Sequence, residues 1–439
     1  QAVPIEDVGP DDTSSLPGTW FRVPAASPEP ETSNRLPIID LAGLWMPGQP
    51  GGGAGYLRIG GPPALFNMHG QGAAGSSASR RMQQQPISLT LVAEVAPPTV
   101  DGQLLQASSA VIKGETAYVS YNMRGDTYLG AIDVIDIKNE GRPKLVSQAI
   151  FLDSDIHSIN FERGRVYAAL ATGDPGFPGP AGFEQIAMKG KRLVLDENSR
   201  VPLPSFAGTS VAMSGDRVYV TSGDAGGLSV LHQKKLELEK HVQLPDARWV
   251  DIDKDKVVVV QGTPGRISVL DKKTLELLNT FSFPGADIPE SKTTVQLVYG
   301  YAFVAAGTGG VQVLSVETGA VLGSVPRPSV PGLDPSVVVT NAVAADRDLV
   351  FISNGEAGVY VAQSPKRFNQ FDDEEAIELR LLGRLGFQDL QSVNHIEYKK
   401  NVLFVAAGRG GLKIVKVDGS DAGGDEDDAE DDDDDDGED

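Results

Sequence analysis

An all-β, seven-bladed β-propeller of four-stranded antiparallel blades is the fold class this sequence predicts, and three observations carry it. The first is a run of apolar triplets that recurs seven times: Ala117-Tyr118-Val119, Val166-Tyr167-Ala168, Val218-Tyr219-Val220, Val257-Val258-Val259, Ala302-Phe303-Val304, Val350-Phe351-Ile352 and Leu403-Phe404-Val405. Such repetition marks a ring or array, because one small sheet cannot bury both its faces alone. The second is the pair of apolar columns five and seven residues before each triplet: Ile112/Ala110, Phe161/Ile159, Met213/Val211, Ile252/Val250, Leu297/Val295, Ala345/Val343 and Tyr398/Ile396. A spacing of two kept over seven units is strand periodicity. The third lies at the ends of the chain. After Lys416-Val417 the seventh unit has no outer strand of its own, while residues 87–95 (Ile-Ser-Leu-Thr-Leu-Val-Ala-Glu-Val) resemble the outer strands at 144–148 and 381–385. That segment is expected to complete blade seven and close the ring without an open sheet edge.

Each unit reads the same way. Around residues 293–322, four runs of strand length are separated by Gly307-Thr308-Gly309-Gly310 and the polar turn Glu317-Thr318-Gly319, with no room for a helix. The third strand recurs as Ile132-Asp133-Val134-Ile135, Leu228-Ser229-Val230-Leu231, Ile267-Ser268-Val269-Leu270, Val311-Gln312-Val313-Leu314, Val359-Tyr360-Val361 and Leu412-Lys413-Ile414-Val415, with blade two the irregular member. The glycine clusters Gly307 to Gly310 and Gly408-Arg409-Gly410-Gly411 are turns and not phosphate loops, since no helix follows them.

Residues 87–417 are thus the ring, flanked by two unlike segments. Residues 1–86 are an extended arm rich in Pro, Gly, Ser and Gln, carrying apolar islands at Trp20-Phe21-Arg22-Val23, from Leu36 to Met46, and at Tyr56-Leu57-Arg58-Ile59. Islands of this kind are expected to dock on the ring, on a neighbouring copy or on another protein partner. Residues 418–439 hold 15 acidic side chains and no basic one. Without them the formal charge of −22 falls to −7. Asp431, Asp432, Asp433, Asp434, Asp435 and Asp436 repel one another, so the tail is expected to stay solvated and, as a carboxylate sponge, to take calcium weakly. This charge argues against nucleic acid and anionic membrane surfaces as partners. The chain has no cysteine, hence no disulfide or thiolate metal site, and no run of about 18 apolar residues to span a membrane. It opens on Gln1, which reads as a mature form whose export signal has been removed.

The repeat resembles a known family. Blade one is nearest, with Gly130-Ala131-Ile132-Asp133-Val134-Ile135-Asp136-Ile137-Lys138-Asn139 followed by Arg142-Pro143-Lys144-Leu145-Val146. Over roughly residues 88 to 417 the chain is similar to the LVIVD-repeat proteins. That resemblance implies a bacterial surface or secreted propeller and specifies architecture, not an activity.

Candidate site residues follow from the ring. The innermost strands begin on one face around the channel, beside the loops between second and third strands, and this face is the usual platform for ligands. Nine residues before each triplet lie Ser108, His157, Thr209, Arg248, Thr293, Asn341 and Asn394, all polar. The next column holds Ser109, Ser158, Ser210, Trp249, Thr294, Ala342 and His395. One reading is a pocket for a carbohydrate, carboxylate or peptide, with Arg248 as anion clamp and Trp249 as stacking surface. The other is a channel mouth that is polar because water fills it. Of the five histidines only His157 and His395 fall here, and neither lies in a zinc-ligand spacing. Asp251-Ile252-Asp253-Lys254-Asp255 reads as a solvated hairpin.

Two long loops, at 122–129 and 172–183, share this face and are expected to carry recognition. The leading expectation is a secreted or cell-surface binding and assembly protein forming homo-oligomers or filaments. A hydrolase or lyase using His157, Arg248 and His395 is one alternative, and a carbohydrate or peptide receptor at the same mouth is another. No cofactor is required, calcium excepted.

Overall fold

The computed structural model describes residues 87–419, except 126, 290, 373 and 388–390, together with the backbone of two arm strands, Trp20–Val23 and Ile38–Asp40. The ring has seven antiparallel sheets, each of four strands from its own blade. Blades one to six occupy residues 106–151, 154–202, 208–243, 247–282, 295–325 and 340–385. Blade seven comprises His395–Lys399, Val402–Ala406 and Leu412–Asp418, with Ser88–Val95 as its outer strand.

Why these segments form blades is visible in which way their side chains point. Alternate residues of a strand face opposite sides of a sheet. Leu403 and Val405 pack against blade six, whereas Val402 and Phe404 pack against blade one. Both faces are buried, so the strands read as continuous apolar runs. The described core divides into seven clusters, one for each junction between neighbouring blades. Blade two's third strand, Ala181–Lys189, departs from the repeat because it buries Glu184, which pairs with Arg200 of the adjacent strand at 2.8 Å.

Closure of the ring depends on one strand and one bulge. Leu89 pairs with Val417 and Leu91 with Val415; the register then shifts, so that Ala93 pairs with Ile414 and Val95 with Leu412. An extra residue in a strand turns the following side chains to the other face. Leu89 and Leu91 therefore enter the core shared with blade six, while Ala93 and Val95 enter the core shared with blade one. The outer pairs of blades one to six carry a register shift too. Gly411, at φ +67°, opens the third strand of blade seven where a Cβ would collide with the carbonyl of Val95, which gives the glycine cluster its reason.

Closing the ring leaves sheet edges open, contrary to expectation, because every outer strand still has an outer side. The arm covers two of them. Trp20–Val23 pairs antiparallel with Lys144–Phe151 of blade one, and Ile38–Asp40 with Arg380–Leu385 of blade six, so these two sheets have five strands. The island at Tyr56 to Ile59 and the acidic tail lie outside the described residues. No helix among the described residues is long and apolar enough to cross a membrane.

Candidate functional site

The inner edge of each innermost strand has no neighbouring strand within its own sheet, so its backbone groups need other partners. Side chains of the preceding blade supply them in a fixed register. Ser108 Oγ donates to the carbonyl of Ile156 at 2.6 Å, Thr209 Oγ1 to that of Ala247 at 3.0 Å, Asn341 Nδ2 to that of Val393 at 3.3 Å, and Asn394 Nδ2 to that of Ala107 at 2.9 Å. In each case the acceptor lies one residue before the equivalent polar position of the next blade. Ser108, His157, Thr209, Arg248 and Asn341 are the bulged residues of their strands, which aims them out of the ladder.

A second row accepts hydrogen bonds from the next blade's backbone. The N–H of Ile112 donates to Glu397 at 3.1 Å, that of Leu297 to Asp251 at 2.7 Å, that of Ala345 to Gln296 at 2.6 Å, and that of Val343 to Thr294 at 3.2 Å. Burial pushes the Glu397 carboxyl up to about 7 and that of Asp251 up to about 6, against the pull of these N–H bonds. Asp251 is therefore a blade-to-blade link, which corrects the reading of residues 251–255 as a solvated hairpin. Much of the mouth's polarity serves to stitch the blades together. Ser108→Ala, which strips a buried carbonyl of its donor, is expected to cost about 1 kcal/mol, seen as a lowered urea midpoint at unchanged slope.

Arg248 is only 4% exposed. Its Nε and Nη2 hold both oxygens of Asp246 at 2.9 and 2.7 Å, and Nη1 reaches the carbonyl of Ile288 at 2.7 Å and Thr293 Oγ1 at 3.1 Å. A bidentate fork of this kind suits guanidinium and carboxylate. Its charge is answered within the chain, and it anchors the segment that leads into blade five.

That segment delivers the residue which crosses the channel. Lys292 belongs to blade five, yet its Nζ donates to the carbonyl of His157 in blade two at 2.5 Å. It also lies 5.3 Å from the ring centre of Trp249 in blade four. Trp249 in turn stacks on His395 of blade seven, with centroids 5.2 Å apart and planes 29° from parallel. Blades two and five, like blades four and seven, stand on opposite sides of the ring, so Lys292 reaches across the channel to the His157 backbone beside the stacked Trp249 and His395. All four are partly exposed there. Among the described residues no carboxylate pairs with Lys292. Burial pushes its ammonium down to about 7. Burial, with the Lys292 charge second, pushes His157 down to about 4 and His395 down to about 3, so both imidazoles are neutral at physiological pH.

The candidates therefore separate. Trp249 and His395 stack in the channel and Lys292 joins them to the His157 backbone, although His395 Nδ1 also accepts from the N–H of Ala110 at 3.5 Å; Arg248, Asn341 and Asn394 are bonded to neighbouring strands. Lys292 escaped the sequence reading because it precedes the polar column by one position. Its column, Ala107, Ile156, Gly208, Ala247, Lys292, Thr340 and Val393, holds one charge among seven residues, and that was the available signal.

The two long loops touch on the same face, where the Tyr128 ring covers Gly173. Asp155 holds the first loop through the N–H groups of Met123 and Leu129, at 2.8 and 3.2 Å. On the opposite face, a cavity of about 300 Å³ lies between blades two and three, lined by Arg163, Arg165, Tyr167, Gln185, Gln233 and Lys234. Several of its polar groups bond one another, as Gln233 Nε2 does with Tyr167 Oη at 2.8 Å. Among the described residues, no group of three His, Asp or Glu side chains is placed to hold a metal ion.

No family model matches the chain, and no curated protein matches it either. Among solved structures it is similar to the computationally designed Ika8 protein, at 14% identity and a TM-score of 0.45, over 72% of this chain and 98% of that one. It is similar also to BamB from Moraxella catarrhalis, at 10% identity and a TM-score of 0.47, over 76% of this chain and 95% of that one.

Proposed function

We propose that this chain is a binding and assembly propeller whose arm docks by adding strands to blade edges, in its own ring and in a second copy's. The observation that carries this reading is the pairing of Trp20–Val23 and Ile38–Asp40 with the outer strands of blades one and six. Strand addition takes affinity from main-chain hydrogen bonds, which any free edge offers. Blades three, four and five have such edges. Their outer strands begin with exposed apolar residues, Leu238 (58%), Leu277 (49%), Leu278 (44%) and Val321 (45%), where isolated edges are usually blunted by charge. These edges are the docking place for the arm of a second copy, and the outcome is a homo-oligomer or filament.

The LVIVD-like repeats support a place for the protein outside the cell or at its surface. The aspartates Asp431 to Asp436 would add weak calcium binding, modulating assembly by neutralising the tail. A small carbohydrate or peptide as ligand fits less well, because much of the polar ring at the mouth is already bonded to the next blade's backbone.

Light scattering of the full chain, with and without calcium, tests this. The full chain is expected to run as an oligomer, while the chain lacking residues 1–86 and the full-length Leu277→Glu, Leu278→Glu variant run as monomers. Equal masses for all three would overturn it.

A further inference from the structure

We propose that Lys292 is a covalent capture site for small aldehydes and ketones that enter the channel, holding them as imines. Lysines are ordinarily poor nucleophiles because they are protonated and solvated or tied to carboxylates. Among the described residues Lys292 has no carboxylate partner, and it is largely withdrawn from solvent. Its Nζ donates to a carbonyl oxygen, that of His157, which accepts the hydrogen bond but brings no negative charge. The Trp249 ring lies beside it, and no carboxylate pairs with it among the described residues.

The groups near it from other blades are the His157 carbonyl of blade two, the indole of Trp249 in blade four, and the imidazoles of His157 and His395, on both of which its charge acts. Arg248, which bonds the adjacent Thr293, is already neutralised by Asp246 at 2.7 Å. With its ammonium held down to about 7, roughly half of the amine is free at neutral pH, against about one in 2,500 for an ordinary lysine.

The chemistry balances without a co-reactant. The Nζ lone pair adds to the carbonyl carbon, and the carbonyl π pair moves onto oxygen. One proton passes from nitrogen to that oxygen, giving a carbinolamine. Loss of water then leaves the C=N bond. The flat faces of Trp249 and His395 favour a small, planar, apolar carbonyl compound.

The test uses the full chain with propionaldehyde and cyanoborohydride, which fixes each imine as a propyl group, and reads every lysine by peptide mass spectrometry between pH 6 and 10. Lys292 is expected to be labelled about tenfold or more faster than the exposed Lys138 and Lys234 at pH 7, with a rate midpoint near 7. Trp249→Ala is expected to slow Lys292 while leaving Lys138 and Lys234 unchanged. Labelling of Lys292 no faster than the exposed lysines, or a midpoint near 10, would overturn the proposal.

Discussion

Replacing Arg248 by alanine is expected to destabilise the ring by about 3–5 kcal/mol, the range for breaking one side of a buried ion pair. Three losses act together. Asp246 keeps its charge in a half-buried site without its bidentate partner, previously held at 2.7 and 2.9 Å. The carbonyl of Ile288 and the hydroxyl of Thr293 lose a charged donor. The segment between blades four and five also loses the side chain that ties it down. Arg248→Lys is expected to recover less than half of the loss, because a point charge cannot reproduce a planar fork that serves several acceptors. Urea unfolding followed by fluorescence reads both variants against wild type. A silent Arg248→Ala in stability, with a carboxylate ligand lost, would return Arg248 to the role of anion clamp.

That contrast shows what was legible in the sequence and what was not. Strand periodicity is local and repeated, so Ile112/Ala110 and its six counterparts reported the blades directly. The missing outer strand after Val417 pointed to residues 87–95 by simple counting. The polar column from Ser108 to Asn394 was visible too, but not its purpose. Polar residues at a ring's mouth have the same composition whether they face a ligand or the next blade's backbone, and only the register of donors and acceptors separates the two. Lys292 was hidden for a different reason. Its importance comes from reaching across the ring to His157, and no local pattern encodes a contact between residues 135 positions apart. The arm lay between these extremes: its apolar islands marked sticky segments, while the edges they join follow from pairing.

Replacing Lys292 by methionine is expected to stabilise the protein by about 2–3 kcal/mol at pH 7, with a pH dependence that identifies the cause. The folded-state value of about 7 lies well below the ordinary 10.5. Above pH 10.5 the amine is neutral in both states, and wild type and variant differ only by packing. As pH falls from 10.5 towards 7, the unfolded chain takes up a proton that the folded chain refuses, so wild-type stability declines. Below 7 the folded lysine is protonated as well and the cost stays constant. The full shift corresponds to about 4–5 kcal/mol at 1.36 kcal/mol per pH unit, reduced here because the side chain is partly exposed to the channel. Methionine keeps most of the aliphatic stem, while the Nζ contacts with the His157 carbonyl and the Trp249 ring are lost, which offsets part of the gain. Glu397 and Asp133, both pushed up to about 7 by burial, make either protein less stable as pH rises through neutrality, and they cancel in the difference. His157 and His395 act the other way, removing stability as pH falls from 6.5 towards 4 and 3; the variant also relieves the part of that loss which Lys292's charge imposes. Urea midpoints of the two proteins measured from pH 6 to 10 check this. A gap that is widest at pH 10, or absent at pH 7, would mean that Lys292 holds its charge without penalty in the channel, and the reason for its reactivity would go with it.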